Sequence, residues 1–264
     1  MVHKPGYIVS GEGVPVVLLH CSMSSKEQWL PLIDSLKKNF MTIAFDLYGY
    51  GSSPFPEDEN DFHLEDEIAF FSETLDNLIG RDTKFHMVGH SYGGAVAMKY
   101  SSMSESRNIS LAVYEPMLNH VSREIDMEIY RLGMEFIGDI EEDIKRGKPD
   151  LGCAKFIDFF SGEGTFRRLP EGIQELFKNC IAKMPLDYRA TIDEKLSLDT
   201  YKNINIPVCL VAGNKSPDIT LNISQKLSET LKNLEFYLIN SGHMAPIERP
   251  DLVNPLIEKF IMGL

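Results

Sequence analysis

The sequence lacks the motifs that usually accompany a metal, a nucleotide cofactor or a membrane anchor. No apolar run reaches the length needed to span a bilayer. Neither of the glycine-rich phosphate motifs, GxxxxGK(S/T) and GxGxxG, is present, and the seven histidines show no metal-binding spacing such as HExxH. We therefore expect no metal, no organic cofactor and no membrane-spanning segment.

Cysteine is scarce and unpaired. The four cysteines are scattered along the chain, and no CxxC pair occurs. Isolated cysteines of this kind are typical of small buried side chains in a reducing compartment. Residues 1–6 contain no signal-peptide core. Together these absences predict a cytoplasmic protein.

Positive charge is also in short supply. Lysine and arginine total 26 against 39 aspartates and glutamates, which gives a net charge of −13. An acidic surface repels nucleic-acid phosphates and anionic lipids. We therefore expect a small-molecule substrate and neither a nucleic-acid nor a membrane partner. The composition is compatible with a homodimer.

One stretch, residues 83–98, carries the clearest chemical signal. An apolar segment typical of a buried strand ends in the motif Gly89-x-Ser91-x-Gly93, and small apolar residues at helical spacing follow. Glycines on both sides of a serine allow a very tight strand-to-helix turn. This pattern predicts that the Ser91 hydroxyl is presented at the carboxyl end of a strand. The N-terminus of a helix lies beneath it and favours a developing negative charge.

Strands and helices alternate along most of the chain, which predicts a mostly parallel sheet flanked by helices. A Gly11–Gly13 turn suggests a hairpin between the first two strands. Apolar patterns predict strands over 7–10, 14–20, 40–45, 83–88, 109–114, 208–212 and 234–239, and helices that include 65–79, 222–231 and 251–261.

The alternation is interrupted once. Roughly ninety residues separate Glu115 from the strand at 208–212, far more than the dozen or so that a parallel crossover requires. Apolar residues in this interval recur at helical spacing, so each helix has an apolar face that must be covered. We therefore predict a helical lid over residues 118–200, resting on the carboxyl edge of a core formed by 1–117 and 201–264.

A serine hydroxyl needs a base to accept its proton, and that base needs an orienting acid. His243 is the best candidate base. It follows Gly242 just after the last predicted strand, at the sheet edge where Ser91 is expected. The alternative is a loop histidine that only bonds its neighbours, but the chain order of the two residues favours catalysis.

Taken together, these motifs resemble the α/β-hydrolase fold superfamily, and the resemblance covers nearly the whole chain. That resemblance implies a sheet of eight or seven mostly parallel strands, a lid after the sixth strand, and a triad in the order serine, acid, histidine. The motifs that carry it are His20 with the following loop, Asp46-x-x-Gly49-x-Gly51-x-Ser53, Gly89-x-Ser91-x-Gly93 and Gly242-His243.

The acid of the triad departs from the family pattern. Ser216 occupies the place after the penultimate strand where relatives usually carry aspartate. Two carboxylates remain as alternatives: Asp218, two residues later, and Glu115, at the end of the family's sixth strand. Some haloalkane dehalogenases carry their acid at the end of the sixth strand, the position that Glu115 occupies here. Asp218 is also well placed to begin a helix, and we therefore prefer Glu115.

The resemblance also implies an oxyanion hole that binds the substrate carbonyl oxygen through two backbone N–H groups. One belongs to Tyr92, directly after the serine. The other belongs to Ser22, in the loop after the strand at 14–20. Cys21 stands where many relatives have glycine, and a packed thiol is its simplest interpretation.

The sequence therefore predicts a carboxylesterase-like serine hydrolase that acts on a small or medium apolar ester through Ser91, His243 and Glu115. A thioesterase or a carbon–carbon bond hydrolase would use the same residues. A ligand-binding relative without catalytic activity is a further alternative, and the serine at position 216 is its best support.

Overall fold

Seven strands form one sheet within residues 4–264, the part of the chain that the computed structural model describes. The strands are β1 (Tyr7–Ser10), β2 (Val14–Leu19), β3 (Phe40–Phe45), β4 (Phe85–His90), β5 (Asn108–Tyr114), β6 (Val208–Gly213) and β7 (Leu234–Ile239). Their order across the sheet is β1-β3-β2-β4-β5-β6-β7. Only β1 runs antiparallel to its neighbour, so the predicted mostly parallel α/β sheet is confirmed, with seven strands and not eight.

The predicted hairpin between the first two strands is wrong. β1 pairs with β3, which lies between β1 and β2. The turn at Gly11 passes across the beginning of β3, where an added Cβ would lie 2.3 Å from the carbonyl oxygen of Phe40. The apolar β2 is buried in the parallel sheet, which leaves the half-exposed β1 for the edge.

Helices cover both faces of the sheet. The described residues form α1 (Leu30–Leu36), α2 (Leu64–Ile79), α3 (Ser91–Ser102), α4 (Ser122–Ile125), α5 (Met127–Lys145), α6 (Pro149–Ser161), α7 (Thr165–Arg168), α8 (Glu171–Cys180), α9 (Met184–Ile192), α10 (Asp218–Thr230), α11 (Ala245–Glu248) and α12 (Pro250–Met262). Alternate residues of β2 point in opposite directions: Val16 and Leu18 belong to the apolar core that includes α1 and α12, whereas Val17 and Leu19 belong to the core that includes α2, α3 and α10.

The interval between β5 and β6 is helical throughout its regular structure. It contains α4 to α9 and short 3₁₀ turns at Asn119–Val121, Ile181–Lys183 and Leu198–Asn203. Apolar side chains from these helices, including Ile140 and Cys153, join the core on one face of the sheet. The division into a core and a separate lid stays a prediction. Within the described part of the chain, no helix is long and apolar enough to cross a membrane.

The turn from β4 into α3 is very tight. Ser91 has a φ of +54°, a conformation that costs a residue with a Cβ of order 1–3 kcal/mol. A Cβ on Gly89 would lie 2.5 Å from the carbonyl oxygen of Gly93, and one on Gly93 would lie 2.3 Å from that of His20. The turn therefore requires glycine at both positions, because the obstructing atoms belong to the backbone.

We expect Gly93→Ala to lower the free energy of unfolding by at least about 1–3 kcal/mol, because the new methyl group overlaps backbone that has little freedom to move. Gly138→Ala is the matched control. Gly138 lies in α5 with no atom within 4 Å of an added Cβ, so alanine there should stabilise the helix by roughly 0.5–1 kcal/mol. Urea denaturation measures both changes, and equal effects would contradict the steric argument.

Candidate active site

Ser91 is the first residue of α3 and lies at the carboxyl end of β4. Its side chain is largely buried but lines a cavity between the sheet edge and the helices that follow β5. The left-handed backbone at this residue places the hydroxyl above the start of α3, where unpaired N–H groups attract negative charge.

His243 lies in the loop between β7 and α11, and two hydrogen bonds hold that loop. The hydroxyl of Tyr114 donates to the carbonyl of Gly242 (2.7 Å), and Nε2 of His90 donates to the carbonyl of His243 itself (2.9 Å). The imidazole is thereby aimed at Ser91: its Nε2 lies 2.9 Å from the serine Oγ. This separation is within hydrogen-bond reach, as proton transfer requires.

Glu115 completes the chain of contacts. Its Oε2 lies 2.6 Å from Nδ1 of His243, and the carboxylate is fully buried. Its Oε1 accepts hydrogen bonds from the backbone N–H of Gly213 and from the hydroxyl of Ser216, both at 2.7 Å. Glu115 also has a positive φ of +40°, so its backbone, like that of Ser91, is strained.

Of the two carboxylates considered for the acid, only one contacts the imidazole among the described residues. Glu115 contacts the His243 ring, whereas Asp218 begins α10 and faces the cavity. Among the described residues, Asp218 makes no hydrogen bond with His243. Ser216, which stands in the usual place of the aspartate, instead donates to Glu115.

The predicted oxyanion donors are both available. Among the described residues, the backbone N–H groups of Ser22 and Tyr92 have no protein acceptor. Their neighbours are occupied, because the N–H of Cys21 donates to the Gln28 side chain (3.2 Å) and that of Gly93 donates to the carbonyl of His20 (3.1 Å). Ser22 and Tyr92 both line the cavity with Ser91. A developing oxyanion there would find two unpaired donors.

Cys21 is not a second nucleophile. The side chain is buried, and burial raises the pKa of its thiol to about 12. The thiolate, which is the reactive form of cysteine, is therefore negligible at neutral pH. Within the described part of the chain, no group of three or more histidine, cysteine or acidic side chains could hold a metal ion.

The cavity has a volume of about 600 Å³. Much of its wall is contributed by apolar side chains of α5 and α6, and the Phe160 ring lies 4.5 Å from the imidazole of His243 between centroids. The apolar lining comprises Met117, Ile129, Leu132, Phe136, Ile137, Phe156, Phe159, Phe160, Met184, Pro217 and Ile219.

The charged part of the cavity wall has a single sign. Asp126, Asp187 and Asp218 line it, and no lysine or arginine does so among the residues that the structure describes. Asp187 is paired below the surface with Lys183, but the other two face the cavity without a cation among the lining residues. The cavity therefore combines apolar walls with an acidic bias.

Sequence reasoning did not identify Ser216, Phe160 or Asp187 as parts of this site. The sequence shows serine in place of aspartate at position 216. It does not show that this serine contacts Glu115, because that contact depends on how two strand ends meet. Phe160 belongs to an apolar helical stripe that looks like any packing face. Asp187 carried no signal in the sequence, since its partners lie up to 165 residues away.

Comparisons with known proteins agree with this fold. A family model described as the alpha/beta hydrolase fold matches residues 14–250. A proline iminopeptidase of Saccharolobus solfataricus is 25% identical, over 97% of this chain and 87% of that protein. A pimeloyl-[acyl-carrier protein] methyl ester esterase of Legionella pneumophila (strain Paris) is 23% identical, over 95% and 96%. The structure of MenH from S. aureus superposes with a TM-score of 0.78 at 19% identity, over 100% and 99% of the two chains.

His20, which precedes the oxyanion loop, is held as a neutral imidazole. Its Nε2 accepts from the backbone N–H of Leu47 (3.0 Å), so the proton resides on Nδ1, which donates to the carbonyl of Cys21 (2.7 Å). Burial lowers the pKa of His20 from 6.5 to about 4. A second proton would place two donors against each other at Leu47.

We expect His20 to make the protein less stable in acid. Below pH 6.5 the unfolded chain binds a proton at this residue, whereas the folded chain resists protonation until about pH 4. The stability that neutral His20 contributes is fully present above pH 6.5. The free energy of unfolding should fall by about 3 kcal/mol as the pH is lowered from 6.5 to about 4. Urea denaturation at a series of pH values measures it.

His20→Asn is the control, because asparagine retains a donor and an acceptor but does not titrate in this window. The slope of its unfolding free energy against pH should be shallower than that of the wild type. The difference in slope should correspond to up to one proton fewer taken up on unfolding. Identical slopes for the two proteins would show that His20 does not titrate on unfolding.

Proposed function

The chain belongs to the α/β-hydrolase fold family, as its motifs predicted, and from that premise we propose that it is a serine hydrolase. The observation that carries the proposal is the continuous chain of hydrogen bonds from Ser91 through His243 to Glu115, with separations of 2.9 and 2.6 Å. Three groups from distant parts of the sequence meet in the order that a nucleophile, a base and an orienting acid require.

The first half-reaction forms an acyl-enzyme. The Ser91 Oγ attacks the ester carbonyl while Nε2 of His243 takes the hydroxyl proton, and Glu115 stabilises the resulting imidazolium through Nδ1–H. The carbonyl oxygen becomes an oxyanion and accepts hydrogen bonds from the N–H groups of Ser22 and Tyr92. His243 then returns its proton to the departing alcohol as the carbon–oxygen bond breaks.

The second half-reaction reverses these roles with water. His243 takes a proton from the water as its oxygen attacks the acyl carbon, and the same two N–H groups hold the new oxyanion. The bond to Ser91 then breaks, and the serine oxygen recovers the proton from His243. The products are a carboxylic acid and the free enzyme.

We assign the acid to Glu115 and not to Asp218. Glu115 is fully buried, contacts the imidazole, and is oriented by the Gly213 N–H and the Ser216 hydroxyl. A carboxylate with this many partners keeps one geometry, which is the property that an orienting acid needs. Ser216 thus supports Glu115 and is not a sign of lost activity.

The cavity indicates the class of substrate. Phenylalanine, isoleucine and leucine side chains bury an apolar acyl group, and a volume of about 600 Å³ suits a small or medium ester. Asp126 and Asp218, which line the wall without a cation among the lining residues, disfavour an acyl group that carries its own carboxylate. We therefore propose an uncharged, apolar acyl part.

The same aspartates favour a second candidate, cleavage of an amide next to a free amino group. One relative is named a proline iminopeptidase, and a protonated amine would be attracted by Asp126 and Asp218. Turnover of prolyl p-nitroanilide in preference to esters would support this reaction. A thioesterase or carbon–carbon bond hydrolase would use the same triad, and thioesters therefore belong in the substrate panel.

A non-catalytic binding protein is the least favoured alternative. Such a protein has no use for a serine within 2.9 Å of a histidine beside two unpaired N–H donors. Recovery of an intact bound small molecule, with no turnover of any ester, amide or thioester, would establish it.

We expect Ser91→Ala to abolish labelling by a fluorophosphonate probe and to reduce kcat for p-nitrophenyl esters by about 10⁴-fold or more. Glu115→Gln should reduce kcat by roughly 10³–10⁴-fold, because a neutral amide does not stabilise the imidazolium. Asp218→Asn removes the same charge at the rival position and should change kcat by less than about fivefold, since Asp218 does not contact His243.

If kcat is lost in Asp218→Asn and retained in Glu115→Gln, the acid has been assigned to the wrong carboxylate. If folded wild-type protein is neither labelled nor active on any substrate of the panel, the hydrolase proposal itself fails. Thermal unfolding of each variant distinguishes loss of chemistry from loss of structure.

Acyl charge provides a separate prediction. We expect kcat/KM for p-nitrophenyl hexanoate to exceed that for the mono-p-nitrophenyl ester of adipic acid by about tenfold or more, because the added carboxylate meets like charge on the cavity wall. Asp218→Asn should lower this ratio of kcat/KM values. Asp76→Asn, at a residue of α2 that does not line the cavity, should leave the ratio unchanged. Equal rates for the two esters would contradict the proposed preference, once spontaneous hydrolysis is subtracted.

A further inference from the structure

A cluster of three charged side chains lies buried beneath the active site. Lys183 is fully buried and contacts two carboxylates, Glu67 at 3.0 Å and Asp187. Its ammonium group also lies 4.3 Å from the centre of the Phe62 ring and 5.0 Å from that of Tyr92. Taking three charges out of water is expensive, and such clusters add little net stability even when paired. The contacts of this particular cluster indicate a role other than stability.

Each carboxylate of the cluster holds one residue of the oxyanion hole. Asp187 accepts a hydrogen bond from the hydroxyl of Ser22 at 2.5 Å. Glu67 accepts one from the hydroxyl of Tyr92 at 3.2 Å. An unbroken path of contacts therefore runs from Ser22 through Asp187, Lys183 and Glu67 to Tyr92.

We infer that Glu67, Lys183 and Asp187 are positioning residues that fix the two backbone donors of the oxyanion hole. The inference rests on the proposed function, since it concerns the same site. The side chains of Ser22 and Tyr92 are tethered to one ionic group. Among the described residues their backbone N–H groups have no protein acceptor, and both residues line the cavity. Preorganised donors are effective because they do not reorient during the reaction.

The charges of the cluster suit this role. Burial alone would lower the pKa of Lys183, but the attraction of Asp187 and Glu67 raises it above the ordinary value, so the ammonium stays protonated. The charged form donates to both carboxylates through charge-assisted hydrogen bonds, which are stronger than those of a neutral amine. Asp187 gains a further donor in the Tyr50 hydroxyl at 2.6 Å, which restricts its orientation.

The origin of these residues links the helices after β5 to the chemistry. Glu67 belongs to α2. Lys183 directly precedes α9, and Asp187 lies in the first turn of that helix. Ser22 lies in the loop after β2, 165 residues from its acceptor. The backbone donor of Ser22 is therefore held in position only when α9 is packed into the core.

Removing the tethers alone tests the inference, because the ion pairs remain. We expect Ser22→Ala and Tyr92→Phe each to lower kcat for p-nitrophenyl hexanoate by about tenfold, a fraction of the 10²–10³-fold that a missing donor costs. KM should stay within about twofold. The inhibition constant of a trifluoromethyl ketone, which forms a tetrahedral oxyanion on Ser91, should rise by the same factor as kcat falls.

Two matched variants serve as controls. Ser110→Ala removes a buried hydroxyl that contacts His86, and Tyr201→Phe removes one that contacts His120. Both make the same chemical change outside the cluster, and both should leave kcat and the ketone affinity within about twofold of the wild type. Thermal unfolding reports the structural cost of all four substitutions.

The outcomes separate this inference from the proposed function. Wild-type protein that is not labelled by the fluorophosphonate probe defeats both. Labelled wild-type protein, with Ser22→Ala and Tyr92→Phe as active as the controls, overturns the positioning role alone. A fall in kcat with unchanged ketone affinity also overturns it, because the oxyanion hole would then be intact. A parallel loss of kcat and ketone affinity supports it.

Discussion

The contact between the imidazole of His243 and the carboxylate of Glu115 is the interaction on which the proposed chemistry depends. It joins a loop after β7 to the end of β5, and it orients the ring toward Ser91 at the end of β4. Parallel strands bring their carboxyl ends to one edge, so residues far apart in sequence meet there. The strained backbones of Ser91 and Glu115 adjoin strands β4, β5 and β6, which are almost wholly buried and can hold such conformations in place.

Two kinds of electrostatic environment surround that contact. The cavity wall is apolar and acidic, which favours an uncharged acyl group over an anionic one. Beneath it, Lys183 holds Glu67 and Asp187 in a buried cluster that contacts the side chains of Ser22 and Tyr92, the two residues predicted to supply the oxyanion donors. Catalysis of acyl transfer depends on donors that are already in place when charge develops, and a buried ionic group is a rigid means of holding them.

Particular residues show how far prediction from the sequence could go. Gly89, Ser91 and Gly93 predicted a tight strand-to-helix turn, because few residue types fit such backbone geometry. The Gly11–Gly13 turn misled, since a turn signal does not say which strands pair, and β3 lies between the two that it joins. The acid stayed ambiguous, because Glu115 and Asp218 both satisfy the chain order.

Local periodicity and short motifs with narrow backbone requirements were enough to predict the fold class, the family, and the nucleophile and base candidates. The packing of distant segments was needed to show which carboxylate contacts His243, that Ser216 donates to Glu115, and how Lys183 connects Ser22 with Tyr92. Most of these contacts join side chains more than a hundred residues apart. They arise from the way strand ends and helices pack, which no local pattern encodes.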